Sequence, residues 1–364
     1  MSARFMRAAL SLARRGVGRT APNPPVGAVV VKAGVIIGRG YHRAAGLPHA
    51  EVEALAEAGR TATGADLYVT LEPCAHHGRT PPCTEAIVRA GIRRVVYAVG
   101  DPDPKVAGRG DAQLRDAGVT VERGLLAARA EELYEAYFKH RLTGTPFGVL
   151  KLACTLDGKV ATAAGESRWI TGEGARRHVH RLRNENDAVM VGVGTVLADD
   201  PQLTTRLRGG RDALRVIVDS RGRTPPVARA VAQGSRAGCL IATTDAAPPG
   251  KLDALRAAGA EVVTLPARDG RVDLAALWDM LGQRGLLSVL VEGGPELAAG
   301  AMEAGVVDKL LLFVAPRIIG GNEARAVFGG RGVERLADAR RLDIRRLRRF
   351  GPDLLIEAYP CSRD

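Results

Sequence analysis

The residues with the clearest chemistry lie between positions 49 and 83. His49 and Glu51 open a segment with helical apolar spacing, and Cys74 and Cys83 follow after one predicted strand. A catalytic zinc takes three protein ligands and leaves its fourth position to water, so His49, Cys74 and Cys83 are predicted to bind one zinc ion. The metal lowers the pKa of its bound water from about 16 to roughly 7. Glu51 would then carry protons between this water and a substrate as general acid and base.

The same residues match the H-x-E…P-C…C signature of zinc deaminases, except in the spacing of the cysteines. Eight residues (AHHGRTPP) separate them, where two are typical. The longer spacer admits a rival interpretation, because His76 or His77 could complete a closed, four-ligand structural site. A structural zinc has no use for a carboxylate beside the metal, whereas a deaminase requires one. We therefore favour the catalytic interpretation.

Length and composition narrow the class of protein. At 364 residues the chain exceeds what one hydrophobic core usually supports, so two domains are expected. The net charge is +12, but the basic residues are spread along the chain and only 4% of residues are aromatic, which argues against a nucleic-acid surface. Five cysteines without regular spacing predict a reduced, cytoplasmic protein. No apolar segment has the length of a membrane span.

The order of the predicted elements divides the chain in two. Residues 26–123 alternate strand-like and helical segments, which predicts a sheet covered by helices on both faces. A long helix from about Ala127 to Arg141 ends near Gly144 and Pro146, a normal helix stop and linker. A second α/β unit begins with FGVLKLACTLDGKVAT and ends in a predicted hairpin around Gly351. We place the domains at residues 1–144 and 145–364.

The second unit carries a candidate nucleotide site. The apolar strand in VLVEGGPELAAGAM leads through Gly293 and Gly294 into a predicted helix, whose N-terminal amides can bind a phosphate. Another predicted strand, NDAVMVGVG, precedes Asp199, and VIVDSRGR places Ser220 and Arg221 at a strand end. A serine and an arginine there could receive a ribose 2′-phosphate and favour NADPH over NADH. Taken singly, these motifs also fit ordinary turns, and the basic segment 176–183 fits a solvated helix face.

The chain as a whole resembles the bifunctional deaminase/reductases of riboflavin biosynthesis. The resemblance runs through APNPPVGAVVV, PHAEVEAL, VTLEPCAHHGRTPPC, VGDPDPKVAGRG, KLACTLDGKVAT, ESRWITG, GTVLADDPQLTTR and VEGGPELAAG, and this family shows the eight-residue cysteine spacer. It implies an α/β fold, with an N-terminal three-layer α/β/α domain like that of cytidine deaminase. The C-terminal α/β domain would be like dihydrofolate reductase.

The resemblance implies two reactions. The first is a zinc-dependent hydrolytic deamination of 2,5-diamino-6-ribosylamino-pyrimidinone 5′-phosphate, a phosphorylated pyrimidine. The second reduces the ribosyl side chain of the product to ribityl with NADPH, which gives 5-amino-6-ribitylamino-uracil 5′-phosphate. Either Lys151 or Asp199 would supply a proton during this reduction.

The resemblance also assigns site residues. Pyrimidine and phosphate contacts of the first site fall on Asn23 and Arg79. Substrate positions of the reductase fall on Ser167, Arg183, Leu203, Arg206 and Glu292. NADPH contacts fall on Ala153, Trp169, Thr195, Asp199 and Ser220, and on Gly294, Pro295, Glu296, Leu297, Ala298, Ala299 and Gly300. The arginines suit a sugar phosphate, because guanidinium groups bind phosphate oxygens bidentately.

Two other functions stay open at this point. The deaminase signature and the positive charge also fit a nucleic-acid base deaminase. The presence of the second domain argues against that function. A non-enzymatic protein would combine a structural zinc with a nucleotide-sensing C-terminal half. The main interpretation predicts a cytoplasmic enzyme with one zinc ion and NADPH, a small-molecule substrate, and no nucleic-acid or membrane partner. We also expect a homo-oligomer.

Overall fold

The computed structural model describes residues 2–77, 81–104, 106–232 and 234–361 of the chain. The chain forms two compact units that divide between Gly144 and Thr145. Both units are α/β. None of the described helices combines the length and the apolar composition that crossing a membrane requires.

The first unit consists of strands and helices in alternation. Its elements are α1 (Ser2–Ala13), β1 (Gly27–Lys32), β2 (Val35–Tyr41), α2 (Ala50–Ala58), β3 (Asp66–Leu71), α3 (Cys83–Arg89), β4 (Arg94–Val99), α4 (Arg109–Asp116), β5 (Thr120–Arg123) and α5 (Ala127–Thr143), with a 3-10 turn at Gly59–Ala62. The sheet has the order β2-β1-β3-β4-β5. β1 is antiparallel to β2 and β3, whereas β3, β4 and β5 are parallel.

The parallel pair β3 and β4 brings two functional loops to one edge of this sheet. The loop after β3 contains Cys74, and the loop after β4 leads into α4. Glu72 fastens the second loop to the first, because its carboxylate accepts hydrogen bonds from the backbone N–H groups of Gly108 (3.1 Å) and Gly110 (3.1 Å). A buried carboxylate at a helix N-terminus also satisfies amides that the helix itself leaves unpaired.

Helix α2 lies directly on strand β2, and glycine makes this contact possible. A Cβ at Gly40 would lie 2.1 Å from the carbonyl oxygen of Ala50, and a Cβ at Gly38 would lie 2.1 Å from the carbonyl oxygen of Ala54. Such distances exclude any larger side chain unless the helix moves. The contact fixes the first turn of α2, which follows His49 and carries Glu51.

The second unit is built on a larger sheet. Its elements are β6 (Phe147–Thr155), α6 (Glu173–Glu185), β7 (Ala188–Gly192), α7 (Val193–Asp199), β8 (Leu214–Val218), α8 (Arg229–Ala232), β9 (Cys239–Thr243), α9 (Pro249–Ala257), β10 (Glu261–Thr264), β11 (Ala267–Arg268), β12 (Arg271–Val272), α10 (Leu274–Gln283), β13 (Ser288–Val291), α11 (Pro295–Glu303), β14 (Lys309–Ala315), β15 (Leu342–Phe350) and β16 (Asp353–Pro360), with a 3-10 turn at Leu336–Asp338. The main sheet has the order β10-β9-β8-β7-β13-β6-β14-β16-β15, and β11 and β12 form a separate hairpin. The predicted C-terminal hairpin is the pair β15 and β16.

One predicted strand is shorter than expected. The segment NDAVMVGVG leaves the sheet at Gly192, and the chain continues as helix α7. Val193 and Val196, three residues apart, are the buried residues of this helix. Its β-branched and glycine residues disfavour a helix locally, so burial of one helical face decides the conformation. The helix ends at Asp199, and its C-cap, Asp200, has a left-handed backbone (φ 42°).

Candidate active sites

His49, Cys74 and Cys83 come together at the edge of the first sheet, with their ligand atoms within 4.8 Å of one another. His49 precedes α2, Cys74 lies in the loop after β3, and Cys83 begins α3. Nδ1 of His49 is 3.2 Å from Sγ of Cys83 and 3.6 Å from Sγ of Cys74. Zinc bound tetrahedrally at its usual bond lengths separates its nitrogen and sulfur ligands by about 3.5–3.8 Å. The donor types and their spacing therefore fit a zinc ion.

The protonation of this cluster also suits a cation. A hydrogen bond from Cys83, and then the neighbouring His49, hold the pKa of Cys74 below its ordinary value although burial opposes the shift. The pKa of Cys83 is raised by its hydrogen bond to Cys74 and by burial, and the hydrogen bond to Cys74 raises the pKa of His49. Hydrogen bonding within the cluster thus favours the thiolate of Cys74, which is the form of cysteine that binds a metal.

Glu51 lies in the first turn of α2 and is 3% exposed. Burial raises its pKa to about 6, although the neighbouring His49 acts in the opposite direction. Its Oε2 atom is buried and has no hydrogen-bond partner among the described residues. An unpartnered buried carboxylate oxygen is costly, and groups of this kind concentrate where chemistry uses them. The arrangement suits a group that exchanges protons with a ligand.

The structure does not bring His76 or His77 into this metal-ligating group, as far as the described residues go. Both side chains are exposed, and Nε2 of His77 is 3.2 Å from a carboxylate oxygen of Glu85. The closed four-ligand alternative therefore gains no support from the geometry. Arg79, the predicted phosphate contact, lies outside the described residues.

Asn23 is linked to the cluster through a histidine that the sequence patterns did not single out. Its amide nitrogen is 3.1 Å from Nε2 of His42, and Nδ1 of His42 is 3.1 Å from the carbonyl oxygen of Pro48. The His42 ring also packs edge-on against His49, with ring centroids 5.2 Å apart. His42 is 2% exposed. In the sequence, the available sign of its role was its position just before the PHAE segment, which contains His49 and Glu51.

The second unit contains a cavity of about 880 Å³ at the ends of β6, β7 and β13. All of the predicted reductase substrate residues line it: Ser167, Arg183, Leu203, Arg206 and Glu292. So do most of the predicted NADPH contacts: Ala153, Trp169, Thr195, Asp199, Gly294, Pro295, Glu296 and Leu297. Ser220, Ala298, Ala299 and Gly300 are not part of this lining. Ala298 and Ala299 are buried on helix α11, so its first turn alone faces the cavity.

A buried ion pair lies in the wall of the cavity. The guanidinium of Arg183 donates to both carboxylate oxygens of Glu292, at 2.6 and 2.9 Å, and Nζ of Lys151 is 3.9 Å from Glu292 Oε2. Burial lowers the pKa of Lys151. Burial by itself would raise the pKa of Glu292, but the adjacent Arg183 outweighs it and the pKa is lowered. The pair therefore stays charged, with Lys151 as the more readily deprotonated neighbour.

Helix α6 contributes more to the cavity than its sequence indicated. Arg176, His180 and Arg183 all line it, because positions i, i+4 and i+7 share one helix face. The guanidinium of Arg176 lies 4.6 Å from the centre of the Trp169 ring, and Nδ1 of His180 is 3.2 Å from the carbonyl oxygen of Thr204. The interpretation of this segment as a solvated face is therefore wrong for these three residues.

Asp199 has a different environment from Lys151. Arg168 donates to its carboxylate (3.1 Å) and to its backbone carbonyl (2.6 Å), and its side chain is 38% exposed. Of the two predicted proton donors, Asp199 thus lies in a partly exposed ion pair. Lys151, at 17% exposed, lies beside the buried carboxylate of Glu292.

Comparison with known proteins identifies both units. A model of the cytidine and deoxycytidylate deaminase zinc-binding region matches residues 1–99, and a model of the RibD C-terminal domain matches residues 146–356. The riboflavin biosynthesis protein RibD of Escherichia coli (strain K12) is 43% identical, with 97% of each chain covered. RibD of Actinobacillus pleuropneumoniae is 42% identical over 98% of this chain and 95% of its own.

Solved structures agree with these matches. RibD of Acinetobacter baumannii superposes with a TM-score of 0.88 at 38% identity and covers 99% of both chains. The diaminohydroxyphosphoribosylaminopyrimidine deaminase/5-amino-6-(5-phosphoribosylamino)uracil reductase of Thermotoga maritima gives a TM-score of 0.88 at 37% identity, covering 99% of this chain and 98% of its own. The predicted fold class is confirmed. The chain belongs to the RibD family of riboflavin biosynthesis proteins, in which a deaminase domain is followed by a reductase domain.

Proposed function

We propose that residues 1–144 deaminate 2,5-diamino-6-ribosylamino-pyrimidinone 5′-phosphate with one zinc ion held by His49, Cys74 and Cys83. Residues 145–364 would then reduce the ribosyl chain of the product with NADPH. The observation that carries the first assignment is the buried, unpartnered Oε2 of Glu51 in the first turn after His49. A purely structural zinc site would leave that oxygen without a purpose.

In the deaminase unit, a bound zinc would activate a water molecule for attack on the carbon that carries the amine. Glu51 would hold a proton at its carboxylate and pass it to the ring nitrogen. In a second transfer it would pass another proton to the departing amine, which leaves as ammonia, and both protons come from the attacking water. Asn23 contacts the pyrimidine, and His42 holds the Asn23 amide by the 3.1 Å contact to its nitrogen. Arg79 remains the proposed phosphate contact. Packing of α2 on β2 keeps Glu51 in place during these transfers.

In the reductase unit, bound NADPH would supply the hydride. Helix α11 begins at the N-cap Gly294, so its free amides can bind the pyrophosphate. Arg183 and Arg206 face the same cavity and bind the phosphate of the substrate. We assign the proton donor to Lys151, because it lies beside the Glu292 carboxylate inside the cavity and burial lowers its pKa.

The remaining expectations concern location and assembly. The free state of Cys74, Cys83, Cys154, Cys239 and Cys361 supports a reducing, cytoplasmic environment. Edge strand β15 exposes Leu342, Ile344 and Leu347 to 39%, 57% and 60%. Exposed apolar side chains on a sheet edge favour association between protein chains. This observation supports the proposal that the enzyme is a homo-oligomer, and its proposed ligands are small molecules.

The substitution Glu51→Gln tests the deaminase assignment. It removes the proton-carrying group but no zinc ligand, so we expect ammonia release to fall by at least about 100-fold while bound zinc stays at one ion per chain. The matched control is Glu53→Gln on the same helix turn, whose carboxylate pairs with Arg43 (2.9 Å). That variant should retain activity. Undiminished deamination by Glu51→Gln, or loss of zinc along with activity, would contradict the proposed role.

A further inference from the structure

Building on the NADPH-dependent reduction proposed above, we propose that Arg271 binds the ribose 2′-phosphate of the cofactor, with Arg221 as a second cation. The pair would determine the preference of the reductase unit for NADPH over NADH. Three features of the structure support this inference. They are the hydrogen bonds that occupy the Asp219 carboxylate, the position of the hairpin β11–β12, and the exposed ion pair that Arg271 forms.

Asp219 follows strand β8 directly, and in Rossmann domains an acidic residue of the nucleotide-binding unit binds the ribose hydroxyl of NAD. Here it cannot do so, because the residue is 0% exposed. Its Oδ2 accepts hydrogen bonds from the backbone N–H (2.6 Å) and the hydroxyl (2.8 Å) of Thr224, and its Oδ1 lies 3.4 Å from the backbone nitrogen of Arg221. The carboxylate that would select NADH is thus used to fold the turn after β8.

The hairpin β11–β12 places Arg271 next to that turn. The backbone N–H of Val272 donates to the hydroxyl of Ser220 at 3.0 Å, which joins β12 to the end of β8. On its other side, Nη2 of Arg271 lies 3.1 Å from a carboxylate oxygen of Glu296. Glu296 is in the first turn of α11 and lines the cavity. Arg271 therefore lies between the position expected for the adenosine ribose and the helix expected to bind the pyrophosphate.

The partner of Arg271 in this structure is one that a phosphate can displace. Both side chains are largely exposed, Arg271 to 66% and Glu296 to 63%, so solvent and salt weaken their attraction. A phosphate monoester carries more charge than a carboxylate and binds guanidinium in a bidentate way. Arg221 is exposed on the adjacent turn. A 2′-phosphate would therefore gain two cations, whereas a 2′-hydroxyl would gain neither charge interaction.

The test is titration calorimetry of the full-length protein with 2′,5′-ADP and with 5′-AMP, which differ by the 2′-phosphate. We expect Arg271→Gln to weaken binding of 2′,5′-ADP about tenfold or more and to leave binding of 5′-AMP within about twofold. The matched control is Arg284→Gln after helix α10, whose guanidinium donates to the carboxylate of Glu261 at the start of β10 (2.9 Å). This control removes the same charge from the same unit, away from the strand end that carries Ser220, and should leave both affinities nearly unchanged.

Three outcomes would overturn the proposal. Equal weakening of both nucleotides by Arg271→Gln would assign Arg271 to general nucleotide positioning, and no weakening would exclude it from the site. Equal effects of Arg284→Gln and Arg271→Gln would mean that only the overall charge of the unit matters. Failure of the proposed NADPH-dependent reduction would give a different result from failure of the Arg271 proposal. In that case the wild-type protein would bind neither nucleotide and would not oxidise NADPH in the presence of the deaminated intermediate.

Discussion

At the scale of single residues, Asp101 connects burial to pH dependence. Its side chain is 8% exposed and accepts hydrogen bonds from the hydroxyl of Tyr137 (3.1 and 3.2 Å) and the backbone N–H of Asp103 (2.9 Å). Burial raises its pKa to about 6, above the value of about 3.9 in an unfolded chain. Its contribution to folding is therefore complete below about pH 4 and is lost as the pH rises to about 6.

We accordingly expect Asp101→Asn to remove the loss of stability that the wild type shows between about pH 4 and pH 6. Relative to the wild type, the variant should gain roughly 2–3 kcal/mol in free energy of unfolding between pH 4 and pH 6, since the amide can still accept from Tyr137. Both tryptophans, Trp169 and Trp278, belong to the second unit. Urea unfolding followed by circular dichroism and by tryptophan fluorescence thus separates the units. A difference that does not change with pH, or one seen in fluorescence alone, would refute the prediction.

The candidate metal-binding residues could be proposed from the sequence because their chemistry is local along the chain. His49, Glu51, Cys74 and Cys83 stand close together along the chain, and a metal restricts the residue types that can hold it. The roles of His42 and His180 were not predictable, because each depends on a carbonyl group that only the fold brings near. A single histidine in a sequence gives no sign of such a partner.

At the scale of elements, strands and long helices followed their apolar patterns, whereas short elements did not. The predicted strand NDAVMVGVG ran two residues into helix α7, since GVGTV has few helix-favouring residues. The hairpin β11–β12 has only two residues in each strand, which is too short for a periodic pattern. Both elements are decided by packing against the rest of the unit, and both lie where the nucleotide is expected to bind.

The close contact between α2 and β2 predicts that a larger side chain on β2 will displace the first turn of α2. Gly40→Ala would place a Cβ 2.1 Å from the carbonyl oxygen of Ala50, so the first turn of α2 must move away from the sheet. Overpacking of this kind costs about 1–3 kcal/mol, and here it displaces the turn that carries Glu51. We expect weaker zinc binding in chelator competition and at least about a tenfold loss of deamination, because small misplacements of catalytic groups have large effects.

Gly100→Ala is the control for this experiment. A Cβ at Gly100 would meet its nearest neighbour, a carboxylate oxygen of Glu72, at 3.6 Å, which is an ordinary contact. This variant should keep both zinc affinity and activity. If Gly40→Ala retained wild-type deamination, the close packing of α2 on β2 would not be what positions Glu51.

At the scale of the whole molecule, the two units have separate hydrophobic cores. One core contains Ala28, Val30 and Ile87, and the other contains Leu150, Trp278 and Leu310. The candidate metal site found among the described residues belongs to the first unit. Because metal binding stabilises the unit that supplies its ligands, removal of zinc should affect the two activities differently.

We expect treatment with a strong chelator such as dipicolinate to reduce the rate of deamination, measured as ammonia release, by about 100-fold or more. NADPH oxidation with the deaminated intermediate supplied should stay within about twofold, because the described residues that line its cavity belong to the second unit. Returning zinc should restore deamination, and a mock-treated sample controls for handling. Loss of both activities together would mean that the reductase fold depends on the zinc site. Deamination that persists after the zinc content has fallen near zero would remove the metal from the mechanism.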